Sequence, residues 1–363
     1  VKDARRAANA AAAAFAGWSA TSDDDRAALL ERAAEKLAER EHTIVEAMAL
    51  ETGATEEWAR FNCEIAAGMF RHAAKLAAYP RRVEREGYDE SVRSILLRQP
   101  VGVVLGIAPW NAPIVLATRA VAVPLALGNT VVLKASEKCP KTHSLVIEAL
   151  IEADAPPGVA NLVSNAPNNA SEIVEALVGH AAVRRVNFTG STRVGRVIAE
   201  TCARHLKPAV LELSGKSAMI VLDDADLDNA ARAAAHGAFF NQGQVCMSTE
   251  RIVVDDRIAD RFVEKLAELA RNIRVGDPQK KGVQFGPLIS ANAAIRVQDL
   301  VEDAVDKGAQ LVVGGGVFKS TMDPAVLDRV EATMKIFTEE SFGPVASIIR
   351  VGSEDEAITV AND

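Results

Sequence analysis

Cys246 lies in the segment Phe239-Phe240-Asn241-Gln242-Gly243-Gln244-Val245-Cys246-Met247-Ser248, just beyond a glycine-containing turn that ends an apolar helical run. A thiolate on such a loop attacks electrophilic carbon when local dipoles or backbone amides lower its pKa. Taken alone, a single cysteine is more commonly an inert buried thiol. Upstream, Glu212 closes the strand-like run Pro208-Ala209-Val210-Leu211-Glu212-Leu213, which places a carboxylate at the carboxyl edge of a sheet. Partial desolvation there would raise its pKa and let it serve as a general base on water, although such a residue by itself is more often an ion-paired structural acid.

Pro109-Trp110-Asn111-Ala112-Pro113 has a proline on each side restricting the backbone around Asn111. The Asn111 amide can donate to a developing oxyanion, or the turn can merely start the next helix. Lys134 ends the run Thr130-Val131-Val132-Leu133-Lys134, and with Glu137 it supplies two polar groups able to reach ribose hydroxyls. Phe188-Thr189-Gly190-Ser191-Thr192-Arg193-Val194-Gly195 follows a strand and opens a helix. Its amides, beginning at Gly190, and the Ser191 hydroxyl can receive a phosphate at the helix N-terminus, unless the loop is simply a cap. No GxGxxG follows an early strand and no Walker sequence occurs, so this loop would have to do that work differently.

The elements that must position these groups follow from the rest of the chain. Residues 1 to about 79 read as Ala-rich helices, with Leu29, Leu30, Ala33, Leu37 and Ile44 near helical spacing. A short strand-like excursion spans 80–99. Apolar runs at 101–108, 130–135, 160–164, 185–189 and 208–213 then alternate with helical segments, which predicts a mostly parallel sheet covered on both faces. A second alternation has strands near 217–221, 250–255, 310–314 and 345–351. The fold class is therefore α/β. At 363 residues two domains are the default, with the boundary near 214.

The net charge of −8, with basic residues scattered, removes the electrostatic footprint of a nucleic-acid binder. A hydrophobic fraction of 49% contains no run long enough to span a membrane, so no membrane partner is expected. Cys63, Cys139, Cys202 and Cys246 form no CxxC pair and no disulfide-dense pattern, which argues against zinc and for a reducing compartment; no metal and a cytoplasmic location are expected.

In this order, PWNAP, VVLKASE, FTGSTRVG, LELSGKS, FFNQGQVC and EESFGPV resemble the aldehyde dehydrogenase superfamily over essentially the whole chain. The resemblance implies a Rossmann-type nucleotide-binding domain at 1–79 and 100–213. It also implies a bridging or oligomerisation β segment at 80–99 and a second α/β catalytic domain at 214–363. It implies that Cys246 attacks the aldehyde, that Asn111 and the Cys246 backbone N–H hold the oxyanion, and that Glu212 activates the water that hydrolyses the thioester. A carboxylate at 212 argues against the branch that acylates coenzyme A. Lys134 and Glu137 would hold the adenosine ribose, Ser191 the pyrophosphate, and Glu340 with Phe342 the nicotinamide ribose, with Trp110 lining the same cleft. The Glu137 carboxylate favours NAD, because it would repel a 2′-phosphate, while some members also accept NADP.

Ser214 departs from the usual Glu-Leu-Gly-Gly-Lys pattern and adds a side chain beside the base. Family members also begin some tens of residues earlier and continue beyond Asp363, so both termini are expected to be incomplete. The text around PWNAP and QVCMSTERIVVDD is most similar to the bacterial salicylaldehyde and vanillin dehydrogenase branch, which implies an aromatic aldehyde. Arg119, a lone charge in the run Ile114–Val121, is a candidate partner for a ring hydroxyl, and Trp58 for an aromatic wall; an internal ion pair or a subunit contact is the competing role for Arg119. A semialdehyde or aliphatic aldehyde is the alternative substrate, and a catalytically silent nucleotide-binding protein the alternative of another class. The family forms homodimers and homotetramers.

Overall fold

Runs of Val, Ile and Leu become central strands where both faces of a sheet are covered. In the computed structural model, which describes residues 1–86, 89 and 91–363, they build two five-stranded sheets. The chain groups into two units, Val1–Ala47 with Arg60–Leu213, and Met48–Ala59 with Ser214–Asp363.

Four helices open the chain: α1 (Lys2–Ala20), α2 (Asp23–Glu39), α3 (Glu41–Thr52) and α4 (Glu56–Leu76). The buried face of α1 carries Ala4, Ala8 and Ala11, small enough to lie against Val103, Leu105 and Val132 of the sheet. Helix α2 starts where the Ser22 hydroxyl accepts the Asp25 N–H at 3.1 Å, with Asp23, Asp24 and Asp25 against the positive end of its dipole. An antiparallel hairpin follows, β1 (Arg82–Glu86) and β2 (Arg93–Leu97).

The alternation that builds the first sheet runs β3 (Val103–Ile107), α5 (Pro113–Ala126), β4 (Thr130–Lys134), α6 (Pro140–Glu152), β5 (Ala160–Val163), α7 (Ala170–Val178), β6 (Val183–Thr189), α8 (Thr192–Arg204) and β7 (Ala209–Glu212). The order is β5-β4-β3-β6-β7, with every pair parallel. The chain leaves β3 toward one side and returns to the other at β6, so the crevice between the connections lies at the carboxyl ends of β3 and β6. Register brings Ile107 opposite both Lys134 and Phe188, and Thr189 opposite Glu212.

The second unit contains β8 (Ala218–Val221), α9 (Leu227–Phe239), β9 (Arg251–Asp255), α10 (Asp256–Arg271) and α11 (Ala291–Asp306). Then come β10 (Gln310–Val313), the small hairpin β11 (Val317–Phe318) and β12 (Thr321–Met322), β13 (Ala325–Asp328), α12 (Lys335–Thr338), β14 (Val345–Val351) and α13 (Glu354–Asn362). Its sheet has the order β10-β13-β14-β9-β8, antiparallel only between β10 and β13.

Two findings differ from the sequence reading. Strand β13 and the β11–β12 hairpin are additional, the hairpin because runs of two residues carry no periodicity to register. Residues Met48–Ala59, read as part of the nucleotide-binding domain, group with the second unit. There Trp58 packs edge-on against Phe240 with ring centroids 4.9 Å apart, and a Cβ on Gly286 would lie 2.1 Å from the Gly53 carbonyl.

Gly106 in the middle of β3 sets how closely α5 approaches, since a Cβ there would stand 2.8 Å from the Ala120 Cβ. Gly106→Ala is expected to cost about 1–3 kcal/mol through overpacking, read as a lower urea midpoint at unchanged slope. An unchanged midpoint would mean that α5 is free to move outward.

Candidate active site

In the first unit the carboxyl ends of β3, β4 and β6 open into a cleft of about 390 Å³ lined by Ile107, Ala108, Pro109, Lys134, Ser136, Glu137, Thr189, Gly190 and Ser191, among others. The ammonium of the buried Lys134 lies 3.5 Å from the Glu137 carboxylate. Burial pushes the lysine pKa down and the Glu137 charge pulls it back up. Ser191 caps α8, its hydroxyl oxygen accepting the Val194 N–H at 3.4 Å, so the hydroxyl proton can still be donated to an anion at that helix N-terminus. Capping and anion binding are compatible here. The Gly190 N–H donates to the Glu212 carbonyl at 3.0 Å, tying the end of β7 to the loop after β6.

Asn111 is buried and Trp110 half-buried in the turn between β3 and α5, and Pro113 is the first residue of that helix. Glu212 ends β7, which among the described residues is an edge strand of the sheet, and is exposed rather than partly desolvated. Arg119 donates to the Thr189 hydroxyl at 2.8 Å and lines a different cleft, of about 580 Å³, with Arg81, Arg98 and Arg185. Its partner in the first unit is therefore a hydroxyl at the end of β6.

In the second unit, Cys246 alone of the four cysteines is exposed; Cys63, Cys139 and Cys202 are buried. Helix α9 ends in a turn where Asn241, Gln242 and Gly243 have φ of 49°, 55° and 68°. A Cβ at Gly243 would stand 2.1 Å from the Gly343 carbonyl, so the turn and the Glu340–Pro344 segment pass backbone to backbone. Buried amides hold this shape. With its amide oxygen toward Gly286, Gln242 accepts that N–H at 2.7 Å and donates to the Asn241 carbonyl at 3.0 Å. The Gln244 side-chain oxygen accepts the Ile289 N–H at 2.9 Å, and the Ser248 hydroxyl donates to the Gly243 carbonyl at 3.1 Å. Trp58 is buried against Phe240, and His236 stacks on the same ring at 4.7 Å, so both flank the residue that opens the cysteine turn.

Glu340 and Phe342 belong to a strained segment, Phe342 having a φ of 44°. Glu250, 4% exposed, anchors it by accepting the Ser341 N–H at 3.0 Å, the Ser341 hydroxyl at 2.6 Å and the Phe342 N–H at 3.1 Å. The Lys216 ammonium meets the same carboxylate at 2.7 Å. Burial pushes Lys216 down against the pull of Glu250, and burial with the nearby Glu250 charge pushes the Glu340 carboxyl up. Arg296 donates to the carbonyls of Glu340 and Ser341. Sequence reasoning missed Glu250: nothing local links a carboxylate after Cys246 to backbone amides 91 and 92 positions away. The φ of Ser214 is not positive, so the backbone there accepts a residue with a side chain.

Among the described residues no helix is long and apolar enough to cross a membrane, and no group of His, Cys, Asp and Glu is gathered to hold a metal.

Vanillin dehydrogenase of Pseudomonas fluorescens is 51% identical over 366 residues, an alignment spanning 100% of this chain and 75% of that relative. A benzaldehyde dehydrogenase (NAD(+)) of Pseudomonas putida is 41% identical over 362 residues, 99% of this chain and 74% of that one. The crystal structure of a salicylaldehyde dehydrogenase from Pseudomonas putida G7 complexed with salicylaldehyde matches with a TM-score of 0.97 at 45% identity, covering 100% of this chain and 75% of that chain. The profile of the aldehyde dehydrogenase family covers residues 1–363, and the chain belongs to that family.

Proposed function

We propose that this aldehyde dehydrogenase oxidises an aromatic aldehyde of the salicylaldehyde, vanillin or benzaldehyde type to its carboxylic acid, with NAD as the oxidant. The observation that carries the reading is the exposure of Cys246 alone among four cysteines, on a turn whose strained backbone is braced by buried side chains. That is the arrangement of a nucleophile rather than of a core thiol. Relatives named for vanillin, benzaldehyde and salicylaldehyde support the aromatic class.

In this reading the Cys246 thiolate adds to the carbonyl carbon, and the Asn111 amide and the Cys246 backbone N–H donate to the oxyanion of the thiohemiacetal. The dinucleotide, when bound, supplies the acceptor for the hydride that leaves this carbon. Loss of hydride makes a thioester. Glu212 then takes a proton from water as the water oxygen adds to the acyl carbon, and expulsion of the thiolate releases the acid. The exposure of Glu212 suits a base that must meet water.

The first-unit cleft fits a dinucleotide by the chemistry of its donors. Lys134 and Glu137 offer donors and an acceptor to ribose hydroxyls, and Ser191 with the start of α8 offers donors to a pyrophosphate. The Glu137 carboxylate favours NAD over NADP, as it would repel a 2′-phosphate. Glu340 and Phe342 are assigned to the nicotinamide ribose, and Trp110 to the same cleft. Arg119 and Trp58 are assigned to the substrate ring. The exposed Ile95, Leu96 and Leu97 of β2 support association into homodimers or homotetramers, and the reduced cysteines support a cytoplasmic setting.

Cys246→Ala is expected to abolish NADH formation from aromatic aldehydes while calorimetry still detects NAD binding. Glu212→Gln should slow thioester hydrolysis by about 10²–10⁴-fold, leaving a burst of NADH followed by a slow phase. The wild-type enzyme should favour salicylaldehyde, vanillin and benzaldehyde over hexanal and succinic semialdehyde by at least about tenfold in kcat/KM. A preference for the aliphatic compounds would remove the aromatic assignment and leave the Cys246 chemistry standing.

Glu250→Leu should cost about 3–5 kcal/mol in guanidinium unfolding, because it leaves Lys216 charged, buried and without this carboxylate. Pairing it with Lys216→Met should restore most of that stability. NAD affinity should stay reduced in the double variant, because the Ser341 and Phe342 N–H groups lose their acceptor. Full recovery of affinity would show that Glu250 does not position the Glu340–Phe342 segment.

A further inference from the structure

Two successive peptide groups, Glu340–Ser341 and Ser341–Phe342, are held at both ends. The Glu250 carboxylate takes their amides with one oxygen each, Oε2 accepting the Ser341 N–H at 3.0 Å and Oε1 the Phe342 N–H at 3.1 Å. The Arg296 guanidinium takes their carbonyls with one nitrogen each, Nη1 donating to the Glu340 oxygen at 3.0 Å and Nη2 to the Ser341 oxygen. In a trans peptide plane the N–H and the C=O point in opposite directions, so the carboxylate and the guanidinium act on opposite edges of each plane. Neither plane can turn without breaking a charge-assisted hydrogen bond at each end.

Helix α11 brings the guanidinium there. Arg296 is exposed on that helix, whereas its neighbour Val297 is fully buried and packs so closely that a Cβ on Gly343 would stand 2.6 Å from Val297 Cγ2. The carbonyl of the same glycine abuts Gly243 in the cysteine turn. Between Gly343 and the two clamped peptides, Phe342 has a φ of 44°, a conformation that a side chain resists and that persists only where the surroundings fix it.

We propose that Arg296 is a positioning residue for the cofactor: with Glu250 it locks the two peptide planes between Glu340 and Phe342, and so sets the directions in which these two side chains meet the nicotinamide ribose. The inference rests on the assignment of Glu340 and Phe342 to that ribose, and extends it to an exposed residue of α11. The planar fork of the guanidinium matters. It presents two N–H groups at fixed spacing to two successive carbonyls, where an ammonium would be a single point charge.

Because Arg296 is exposed, Arg296→Gln and Arg296→Lys are expected to keep the wild-type unfolding midpoint. In amide hydrogen exchange of the cofactor-free protein, read on a peptide spanning 338–345, both variants should exchange at least about fivefold faster than wild type. The NAD dissociation constant in calorimetry and the KM for NAD should rise about fivefold in both, the effect of losing one hydrogen bond, while the KM for aldehyde stays within about twofold. Wild-type exchange and affinity in the Gln variant would overturn the proposal. A Lys variant matching wild type in both would do so too, since charge alone would then suffice. Weaker NAD binding with wild-type exchange would make Arg296 a direct cofactor contact, and faster exchange with unchanged affinity would leave a clamp that does not serve the cofactor; either result overturns the positioning role. Exchange that quickens along the whole of α11, with equal rises in the KM for NAD and for aldehyde, would reduce Arg296 to support of its helix and overturn it as well. A wild-type chain that binds no NAD would refute the ribose assignment instead, and the exchange comparison, made without cofactor, still decides whether the clamp exists.

Discussion

Strands β5, β4, β3, β6 and β7 all run in one direction, so their carboxyl ends finish on one edge of the sheet. The polar residues of the first unit depend on that shared register. Ile107 is level with Lys134 and with Phe188, and Thr189 is level with Glu212. A slip of one residue would turn every side chain of a strand to the opposite face and move the polar groups at its end out of line with their neighbours. Because β4 and β6 flank β3, the chain departs and returns on opposite sides, leaving the crevice in which Lys134, Glu137 and Ser191 face one another.

The second unit meets a different demand, to present a thiol on a turn the backbone resists. Asn241 and Gln242 lie in the left-handed region, at a cost of about 1–2 kcal/mol each. Four side-chain hydrogen bonds, two made by Gln242 and one each by Gln244 and Ser248, offset this with about 1 kcal/mol apiece. The two sums are of the same size. The turn is thus held without surplus, and the position of Cys246 is tied to buried amides.

The apolar runs ending at Ile107, Lys134 and Thr189 are legible because a central parallel strand has a distinctive composition, and the groups at their ends are legible for the same reason. Exposure is not. Four cysteines look alike in sequence, and only packing buries Cys63, Cys139 and Cys202 while leaving Cys246 open. Glu212 was read as partly desolvated, whereas its place on an edge strand leaves it exposed. Glu250 escaped notice because its work is done through backbone groups of another segment, and a backbone N–H has no residue type to recognise.

Two lysine–glutamate pairs show how the same chemistry is spent differently. In Lys216–Glu250 the side chains are 11% and 4% exposed, the ions are 2.7 Å apart, and three further donors from Ser341 and Phe342 complete the carboxylate. Removing either partner strands a buried charge, which makes the pair a fixed anchor. In Lys134–Glu137 the separation is 3.5 Å, the lysine is 6% exposed and the glutamate 27%. An ammonium has three donors and a carboxylate about four acceptor sites, so this looser pair retains hydrogen-bonding capacity on the cleft side. In the proposed reading ribose hydroxyls would engage it without separating the charges, which would avoid the desolvation penalty of an unpaired ion. A buried pair saturated by the protein gives rigidity, and a half-open one left unsaturated gives a place for a ligand that must come and go.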